Sequence, residues 1–516
     1  MSIASASNAS NPRLDSLTTW DSNWKGLRVL VAGIGLSGFS AADTLIELGA
    51  RVVVVDGADS EENRGKADTL KIVGAADVRL GAGAMDGLST VDGEQPELVV
   101  TSPGLRPTHP VLAAAADAGI PIWGDVELAW RVRIRGGRPT APWLAITGTN
   151  GKTTTVGMTE SMLRAAGLRA IAAGNVGTPI LDAIRDPQGW DAIAVELSSF
   201  QLHWTHTVSP LASVCLNIAE DHVDWHGSYD AYRSDKAKVY ANTQVACIYN
   251  AEQAETERMV EDADVVEGCR AVGFTTGTPA ISMVGIVEGL LVDRAFIEER
   301  RNAAAELASL DDLGDSAPRH LAADALAAAA LVRAFGVEPV AVRDGLRNYA
   351  PGGHRIEPVA KLNDILWVND SKATNPHAAA ASLAAFGSVV WIAGGLSKGV
   401  TYDELVAANA NRLRAVVLIG SDSSQLRAAL ARHASDVPVI EARQADTGEE
   451  GTPTGEAVMV QAVAAAAGAA QAGDTVLMAP ASASMDQFRS YAHRGEAFIE
   501  AVRGYVEGQA QTTKEP

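Results

Sequence analysis

The sequence contains few cysteines, and those it has are widely spaced. Cys215, Cys247 and Cys269 are the three cysteines among 516 residues, and no two of them form a Cys-x-x-Cys pair. This spacing argues against a disulfide framework and against a zinc site. We therefore expect buried thiols in a reducing compartment.

Basic side chains are also scarce relative to acidic ones. Lys and Arg number 42 against 63 Asp and Glu, which gives a net charge of -21. Such a balance argues against nucleic acid and against an anionic membrane surface as partners. It still permits an anionic small ligand, because a local group of backbone N–H donors can bind phosphate inside an acidic protein.

The chain lacks an apolar run that could span a bilayer. The longest weakly apolar run, Ala457 to Ala470, is short and rich in alanine, and no signal stretch opens the chain. We expect a cytoplasmic monomer without membrane insertion. Residues 1–20 are rich in Ser, Asn and Thr, which predicts a flexible leader.

The rest of the sequence has the pattern of α/β domains. Short apolar runs alternate with longer alanine-rich helical patterns, as in parallel sheets covered by helices. The predicted strands are Arg28–Ala32, Arg51–Asp56, Leu98–Thr101, Trp143–Thr147, Ala192–Glu196, Ser213–Asn217, Val245–Tyr249, Ile365–Asn369, Val389–Ala393, Ala415–Gly420 and Thr475–Met478. Turn-rich breaks near residues 135–139 and 350–353 predict three domains, over residues 21–137, 138–352 and 353–516.

A glycine-rich turn follows the first predicted strand. It reads Gly33-Ile-Gly35-Leu-Ser-Gly38, and Asp56 ends the next strand at the place of a ribose-binding acid. Glycines allow close backbone approach to a pyrophosphate at a helix N-terminus. The motif alone is compatible with NAD(P), with another nucleotide, or with a purely structural turn.

A second glycine-rich segment has the form of a shortened phosphate loop. It reads Thr147-Gly-Thr-Asn-Gly-Lys-Thr-Thr154, and Ile146 occupies the position where the usual pattern has its first glycine. The segment follows a predicted strand and precedes a helical pattern. It predicts a nucleoside triphosphate site in which Lys152 contacts the β- and γ-phosphates and Thr153 binds Mg²⁺.

Polar groups also follow two further strands of the central region. The strand Ala192–Glu196 ends at a carboxylate, and Ser213–Asn217 runs into Glu220-Asp-His222-Val-Asp224. Ligands bind at the carboxyl ends of strands in open α/β sheets. Three strand ends therefore predict a metal–nucleotide site.

Four of these segments resemble the Mur ligases. They are Gly148-Thr-Asn-Gly-Lys-Thr153, Gly174-Asn-Val-Gly177, Glu196-Leu-Ser-Ser-Phe-Gln-Leu202 and Asn217-Ile-Ala-Glu-Asp-His222. The resemblance implies an ATP-dependent enzyme that forms amide bonds in the peptide stem of peptidoglycan. It implies three α/β domains, namely an N-terminal Rossmann-like UDP-binding domain, a central P-loop-type ATPase and a C-terminal Rossmann-like amino-acid-binding domain. It also implies that Lys236 is carbamylated.

The last third of the chain resembles the family members that add D-glutamate to UDP-N-acetylmuramoyl-L-alanine. The resemblance rests on Asn369-Asp-Ser-Lys-Ala-Thr-Asn375, Gly394-Gly-Leu-Ser-Lys398, Pro480-Ala-Ser-Ala-Ser484 and Tyr491-Ala-His-Arg-Gly495. It implies an acyl phosphate intermediate, formed when the alanyl carboxylate attacks the γ-phosphate. One departure from the family is the segment His320 to Asp324, where Leu321 and Asp324 replace an Asn pair on the adenine side.

The resemblance implies the following site residues. The catalytic residues are Lys152, Glu196, His222 and Lys236. The Mg²⁺ ligands are Thr153, Glu196, His222 and Lys236. The ATP-binding residues are Gly148, Thr149, Asn150, Gly151, Lys152, Thr153, Thr154, Arg355, Asp370 and Lys372. The substrate-binding residues are Gly35, Leu36, Ser37, Asp56, Asn175, Ser199, Gln201, Thr374, Lys398, Ser484 and Tyr491.

Three rival functions are less consistent with the sequence. A nicotinamide-dependent oxidoreductase leaves Lys152, Glu196 and His222 without a role. A folate polyglutamate ligase begins near its phosphate loop, whereas about 140 residues precede the loop here. A nucleotide-sensing module without activity does not need the Lys372, Lys398 and Ser484 set.

Overall fold

A computed structural model describes residues 11–314, 318–350, 352–397, 400–442 and 455–512. These residues form three β-sheets flanked by helices, so the predicted α/β class is confirmed. Within the described part of the chain, no helix has both the length and the apolar composition needed to cross a membrane.

The first sheet is parallel throughout. Its strands pair in the order β3-β2-β1-β4-β5. The strands are β1 (Arg28–Ala32), β2 (Arg51–Asp56), β3 (Asp77–Leu80), β4 (Leu98–Thr101) and β5 (Ile122–Gly124). The helices are α1 (Pro12–Asp15), α2 (Leu36–Glu47), α3 (Glu61–Val73), α4 (Pro110–Asp117) and α5 (Asp125–Val132). The strands β1, β2 and β4 are rich in valine and are buried on both faces of the sheet. A strand of this kind is a continuous apolar run in the sequence, so such runs predict it.

The second sheet pairs in the order β14-β13-β12-β11-β10-β9-β6-β8-β7 among the described residues. Its strands are β6 (Trp143–Thr147), β7 (Ala170–Gly174), β8 (Ala192–Glu196), β9 (Ala212–Cys215), β10 (Ala246–Asn250), β11 (Arg270–Phe274), β12 (Met283–Val287), β13 (Leu290–Asp293) and β14 (Ala305–Ser309). The central strand β6 lies parallel to both β8 and β9, so the carboxyl ends of these three strands share one edge. The last two pairings, β12 with β13 and β13 with β14, are antiparallel.

Helices cover both faces of this second sheet. The α-helices are α6 (Lys152–Ala165), α7 (Ile180–Arg185), α8 (Ser199–His203), α9 (Val223–His226), α10 (Tyr229–Ala237), α11 (Ala254–Glu261), α12 (Arg319–Phe335) and α13 (Pro339–Asn348). Two 3₁₀ helices span Lys238–Tyr240 and Leu310–Leu313. The alanine-rich helix α12 is buried along most of its length, which small side chains allow.

The third sheet pairs in the order β15-β16-β20-β17-β18-β19. Its strands are β15 (Glu357–Leu362), β16 (Ile365–Asn369), β17 (Val389–Gly394), β18 (Leu413–Ile419), β19 (Val439–Glu441) and β20 (Thr475–Met478). Its helices are α14 (Pro376–Ala384), α15 (Asp403–Asn409), α16 (Ser424–His433), α17 (Gly455–Ala469) and α18 (Tyr491–Thr512), with a 3₁₀ helix at Ala410–Arg412. All pairings except the β15–β16 hairpin are parallel.

The described residues form two compact units. One unit contains the first two sheets, up to Ile218 and again over Trp225–Tyr349, and the other combines Ala219–Asp224 with the chain from Ala350 onward. The first two sheets share one apolar core, in which Trp130 and Trp143 meet edge to face with ring centroids 5.0 Å apart. Each predicted domain thus contains one sheet, while the predicted domain boundaries stay predictions.

Three expectations need correction. Leu14 and Leu17 are 2% and 0% exposed in the shared core, so the flexible leader expected over residues 1–20 does not include residues 11–20. The predicted strand Ser213–Asn217 ends earlier, at Cys215, because the backbone after it turns to bond the phosphate loop. All three cysteines are free thiols, and Cys269 is half-buried rather than buried.

Candidate active site

A shortened phosphate loop joins β6 to α6. Gly151 caps the helix with φ of 82°, a left-handed conformation that favours glycine. A Cβ at this position would also collide with the carboxylate of Asp324. Thr153 and Thr154 lie in the first turn of the helix, whose N-terminal N–H groups attract anions. The loop therefore has the strand–loop–helix geometry predicted for phosphate binding.

Asn217 holds this loop from the neighbouring strand end. Its backbone oxygen accepts a hydrogen bond from Thr149 N at 3.0 Å, and its Oδ1 accepts one from Asn150 N at 2.9 Å. Its Nδ2 donates to the Asn150 carbonyl at 3.2 Å. Asn217 therefore fixes the loop conformation, and the sequence signal for this role is its position just after a buried strand.

Two lysines converge on the same loop carbonyl. Lys152 Nζ donates to the carbonyl oxygens of Gly148 and Thr149 at 2.8 and 2.9 Å. Lys236 Nζ donates to Gly148 O at 2.8 Å, and the whole residue is 2% exposed. The Lys236 ammonium also lies 5.1 Å from the centre of the Tyr232 ring, and the Tyr232 hydroxyl bonds Thr149 Oγ1 at 2.8 Å. Positive charge is therefore concentrated where polyphosphate would bind.

Glu196 ends β8 at the same edge of the sheet and is 1% exposed. Its Oε1 accepts a hydrogen bond from Asn175 Nδ2 at 3.0 Å. Its Oε2 is buried and receives no hydrogen bond within the described ranges. A buried carboxylate oxygen without a donor fits a cation ligand, because hard cations such as Mg²⁺ prefer oxygen.

The predicted metal ligands belong to different compact units. His222 lies in the segment Ala219–Asp224, which belongs to the second compact unit, whereas Thr153, Glu196 and Lys236 lie in the first. Its backbone is left-handed, with φ of 53°, and its Nε2 lies 3.5 Å from Asp221 Oδ2. In the described part of the chain, no three His, Cys, Asp or Glu side chains form a metal-binding cluster. The Mg²⁺ site therefore stays a prediction.

The glycine-rich turn after β1 is held by Asp56. Its two carboxylate oxygens accept hydrogen bonds from Ile34 N and Ala58 N, each at 2.8 Å. Gly35 and Leu36 begin α2 at the surface, and Leu36 is 71% exposed. The turn therefore presents backbone and one apolar side chain to solvent, as nucleotide binding would require.

Asp125, which no sequence motif marks, joins two predicted substrate residues. Ser37 Oγ donates to Asp125 Oδ2 at 2.9 Å, and Gln201 Nε2 donates to the same oxygen at 3.2 Å. Burial raises the pKa of Asp125, although the hydrogen bonds from Ser37 and Gln201 act in the opposite direction. Ser199 precedes Gln201 in α8, three residues after Glu196, so Asp125 links the first glycine-rich turn to the helix that carries these predicted substrate residues.

Several predicted residues of the second unit lie at the adjacent ends of β16 and β20. Asp370, Lys372 and Thr374 follow β16, and Ser484 follows β20. Lys372 Nζ lies 3.9 Å from the centre of the Tyr491 ring. Arg355 precedes β15 in the same unit, and Lys398 lies outside the described residues.

A buried arginine that the prediction omitted joins these two strand ends. Arg494 is 1% exposed and donates from Nε to Ser371 Oγ at 3.0 Å. Its Nη2 and Nη1 donate to the carbonyls of Ser371 and Ser482 at 3.0 and 3.1 Å. Burial lowers the pKa of Arg494 to about 9. Its position in a helix after the last strand is the available sequence signal.

The second sheet is mostly parallel, and its central strand runs into a Gly-Lys loop with a second lysine and a buried carboxylate at the same edge. This arrangement is typical of α/β proteins that bind nucleotide phosphates. Comparison with known proteins identifies the group more closely. Family models described as Mur ligase MurD-like N-terminal domain, Mur ligase middle domain, and Mur ligase glutamate ligase domain match residues 27–124, 146–307 and 354–482.

Curated relatives agree with these matches. The UDP-N-acetylmuramoylalanine--D-glutamate ligase of Streptomyces avermitilis is 55% identical over 93% of this chain and 99% of the relative. The protein of the same name from Streptomyces coelicolor is 54% identical over the same shares. The chain belongs to the Mur ligase family.

Solved structures show the same fold at lower identity. The MurF ligase from Thermotoga maritima, crystallised in complex with ADP, has a TM-score of 0.53 and 16% identity, covering 89% of this chain and 96% of that one. This likeness concerns the fold alone.

Proposed function

We propose that this chain is an ATP-dependent ligase that adds D-glutamate to UDP-N-acetylmuramoyl-L-alanine in peptidoglycan precursor synthesis. One observation above all supports this chemistry. Glu196 ends a strand next to the one that leads into the phosphate loop, and its buried Oε2 accepts no hydrogen bond from the described residues. The names of the relatives support the choice of substrates. In this proposal residues 21–137 bind the UDP part, 138–352 bind ATP and 353–516 bind D-glutamate.

A free carboxylate is a poor electrophile, so the reaction needs an activated acyl group. The alanyl carboxylate attacks the γ-phosphate of ATP, and ADP leaves. The D-glutamate amine then attacks the carbonyl carbon of the acyl phosphate, loses a proton and displaces phosphate. No covalent bond to the enzyme is needed, and positioning and electrostatics supply the rate.

The residues of the phosphate loop act on ATP in this scheme. The N-terminus of α6 binds the phosphates through backbone N–H groups. Lys152, now bonded to loop carbonyls, turns its ammonium to the β- and γ-phosphates. Asn217 keeps the loop in the binding conformation before ATP arrives.

Mg²⁺ fits the donor set that we propose for it. Thr153 and Glu196 would hold one Mg²⁺, and His222 and carbamylated Lys236 would hold a second. Bound there, the cations would neutralise charge on phosphate oxygens. Carbamylation replaces the Lys236 ammonium with an anionic oxygen donor, and it would remove the charge that now lies under the loop.

The substrate groups are assigned by the chemistry of the strand ends. A dicarboxylate such as D-glutamate needs cations and hydroxyls, which Lys398, Thr374 and Ser484 supply. We assign Lys372 and Tyr491, which contact each other, to the same group, and Arg355 and Asp370 would reach ATP. Gly35, Leu36, Ser37 and Asp56 would bind UDP, and Asn175, Ser199 and Gln201 the sugar and its alanyl arm.

Phosphate release tests the proposal directly. The purified chain with ATP, Mg²⁺ and UDP-N-acetylmuramoyl-L-alanine should release phosphate when D-glutamate is added, and not with L-alanine or diaminopimelate. Lys152→Ala should abolish release while keeping the circular-dichroism spectrum. Preference for another amino acid would overturn the D-glutamate assignment, and undiminished release by Lys152→Ala would overturn the phosphate-loop assignment.

A further inference from the structure

A buried carboxylate next to Lys236 collects donors from three directions. Asp235 Oδ2 lies 2.8 Å from His203 Nδ1 and 3.0 Å from His226 Nδ1. Lys238 Nζ lies 2.9 Å from Asp235 Oδ1 and also donates to the His203 carbonyl at 2.8 Å. The Asp235 residue is 6% exposed. This set is distinct from the phosphate-loop contacts.

His226 extends the set to a predicted substrate residue. Its Nε2 lies 3.0 Å from the hydroxyl of Ser199, which is 2% exposed. The side chain of His226 is 1% exposed and packs against the rings of Phe200, Trp225 and Tyr232. Ser199, His226 and Asp235 therefore form a continuous hydrogen-bonded series of buried side chains.

The identity of the partners fixes the direction of these bonds. An ammonium has donors only, so Asp235 Oδ1 must accept from Lys238. Two imidazole nitrogens share Oδ2, and each of them can bond a carboxylate oxygen only by donating. His226 is thus protonated at Nδ1, and in the neutral ring its Nε2 is an acceptor. Opposite this neutral ring, the Ser199 hydroxyl donates its hydrogen bond to His226 Nε2.

We infer that Asp235 and His226 are positioning residues that turn Ser199 into a hydrogen-bond acceptor for the sugar-nucleotide substrate. Because the Ser199 proton is committed to His226, the hydroxyl oxygen can bind only a donor, such as an amide N–H or a hydroxyl group. It cannot stabilise a carboxylate or a phosphate. The inference rests on the proposed function and assigns Ser199 to the amide-bearing arm of the substrate rather than to its reacting carboxylate.

The place of Ser199 supports this assignment. It lies in the first turn of α8, directly after the strand that ends at Glu196. Gln201 of the same turn is joined through Asp125 to Ser37 in the first glycine-rich turn. Ser199 thus sits between the predicted UDP and phosphate sites, where the arm of the substrate would pass.

The state of His226 can be measured without substrate. ¹⁵N NMR of the full chain labelled on histidine should show His226 protonated at Nδ1 and unprotonated at Nε2, with the signal assigned by its loss in His226→Gln. Protonation at Nε2, in the other neutral form or in the imidazolium ion, would overturn the inference.

Asp235→Asn should reverse the hydrogen-bond direction. Lys238 requires an oxygen, so the new amide nitrogen faces His226 and forces its Nδ1 to accept. Ser199 then accepts a hydrogen bond from His226 Nε2–H, and its own hydroxyl hydrogen points toward the substrate, where it meets a donor rather than an acceptor. We expect the KM for the sugar nucleotide to rise between about fivefold and about a hundredfold, as for a buried polar group left unsatisfied. The KM for ATP and for D-glutamate should change less than about twofold.

Matched variants separate positioning from folding. His203→Gln removes the other imidazole on the same oxygen and should leave the KM for the sugar nucleotide near its original value. His226→Gln keeps an acceptor opposite Ser199 and should retain more affinity than His226→Phe. In a double-mutant cycle, Asp235→Asn should add little to Ser199→Ala.

Two results would overturn the inference. One is that Asp235→Asn and Ser199→Ala have additive effects on the KM for the sugar nucleotide, and the other is that neither variant changes this KM. Failure of the proposed function would appear separately, as absent D-glutamate-dependent phosphate release in the unmodified chain.

Discussion

Replacing Asp370 with asparagine should stabilise the third sheet at neutral pH but not at acid pH. Asp370 follows β16, is 7% exposed and accepts a hydrogen bond from Ser382 Oγ. Burial raises its pKa from 3.8 to about 6, while the bonds from Ser382 and Ile356 N and the charge of Arg355 act in the opposite direction. The folded protein therefore holds this proton more tightly than the unfolded chain does.

The sign of the effect follows from proton binding. Below pH 3.8 both states carry the proton, so the group does not change stability. As pH rises from 3.8 to about 6 the unfolded chain releases it first, and the folded state becomes less stable. A pKa difference of this size corresponds to about 3 kcal/mol lost by wild type above pH 6. Asparagine does not titrate, so its contribution to the free energy of unfolding is the same at every pH. The change of the stability difference with pH therefore comes from Asp370 alone.

The measurement should report on the third sheet within the whole chain. Met478 of β20 is fully buried, so its oxidation by peroxide at increasing urea concentrations follows exposure of this sheet. The stability difference between Asp370→Asn and wild type should grow by about 2 kcal/mol in favour of the variant from pH 4 to pH 7. Ligase activity should fall in the same variant, because Asp370 is proposed to contact ATP.

Asp474 provides a control of opposite sign. Burial raises its pKa, but bonds from Arg414 and Ser388 outweigh this and hold the pKa below its usual range. Asp474→Asn should therefore lose stability relative to wild type as pH rises above the acid range. A pH-independent difference for Asp370→Asn, with the expected trend in Asp474→Asn, would refute the reasoning about Asp370.

Three further predictions concern the site. Asn175→Ala removes the donor to Glu196 Oε1 and should raise the Mg²⁺ concentration needed for half-maximal phosphate release about ten- to a hundredfold. An unchanged Mg²⁺ titration would contradict the metal role of Glu196. Asn217→Leu removes the side-chain bonds to the phosphate loop and should raise the KM for ATP about tenfold, with the KM for D-glutamate as the internal control. In Arg494→Lys, the lysine cannot reproduce the three directed hydrogen bonds of the guanidinium group. The third sheet should therefore lose about 1–3 kcal/mol of stability in the Met478 oxidation assay. An unchanged stability would show that the arginine is dispensable.

Buried parallel strands were predictable because they are continuous apolar runs. Each predicted strand exists, with ends within two residues of the expected ones. The antiparallel strands β12 to β14 were missed, since Met283–Val287 and Leu290–Asp293 are short and interrupted by the turn at Glu288–Gly289. The strands β3, β5, β7, β11, β15 and β19 were missed as well. Strand β5 has three residues, and the other five are partly exposed, so none of them is a long continuous apolar run. The phosphate loop was predictable because its local residues determine its form.

Contacts between distant segments were not predictable from local patterns. Asn217 acts on the phosphate loop only because β9 and β6 are neighbours in the sheet. Asp125 gains its role from hydrogen bonds to residues 88 and 76 positions away in the chain. Asp235 bonds His203, 32 positions away, and His226, 9 positions away. A single acidic residue in a helical pattern gives no sign of such partners, because its ordinary position is a solvated face.

The bond network around Asp125 gives the shared core of the first two sheets a functional meaning. Ser37 lies in α2, beside the first sheet, and Gln201 lies in α8, beside the second sheet, yet both donate to one buried oxygen of Asp125. Removing either donor would leave this buried carboxylate with one hydrogen bond fewer, which is unfavourable. Such a bridge resists relative movement of the two glycine-rich loops, because sliding would break both bonds at once. The distance between the proposed UDP and ATP sites is therefore set by the fold before substrates bind. In an in-line transfer, the reacting atoms must be positioned within about 0.5 Å of the productive geometry. A distance that the fold sets in advance therefore lowers the entropic cost of the reaction.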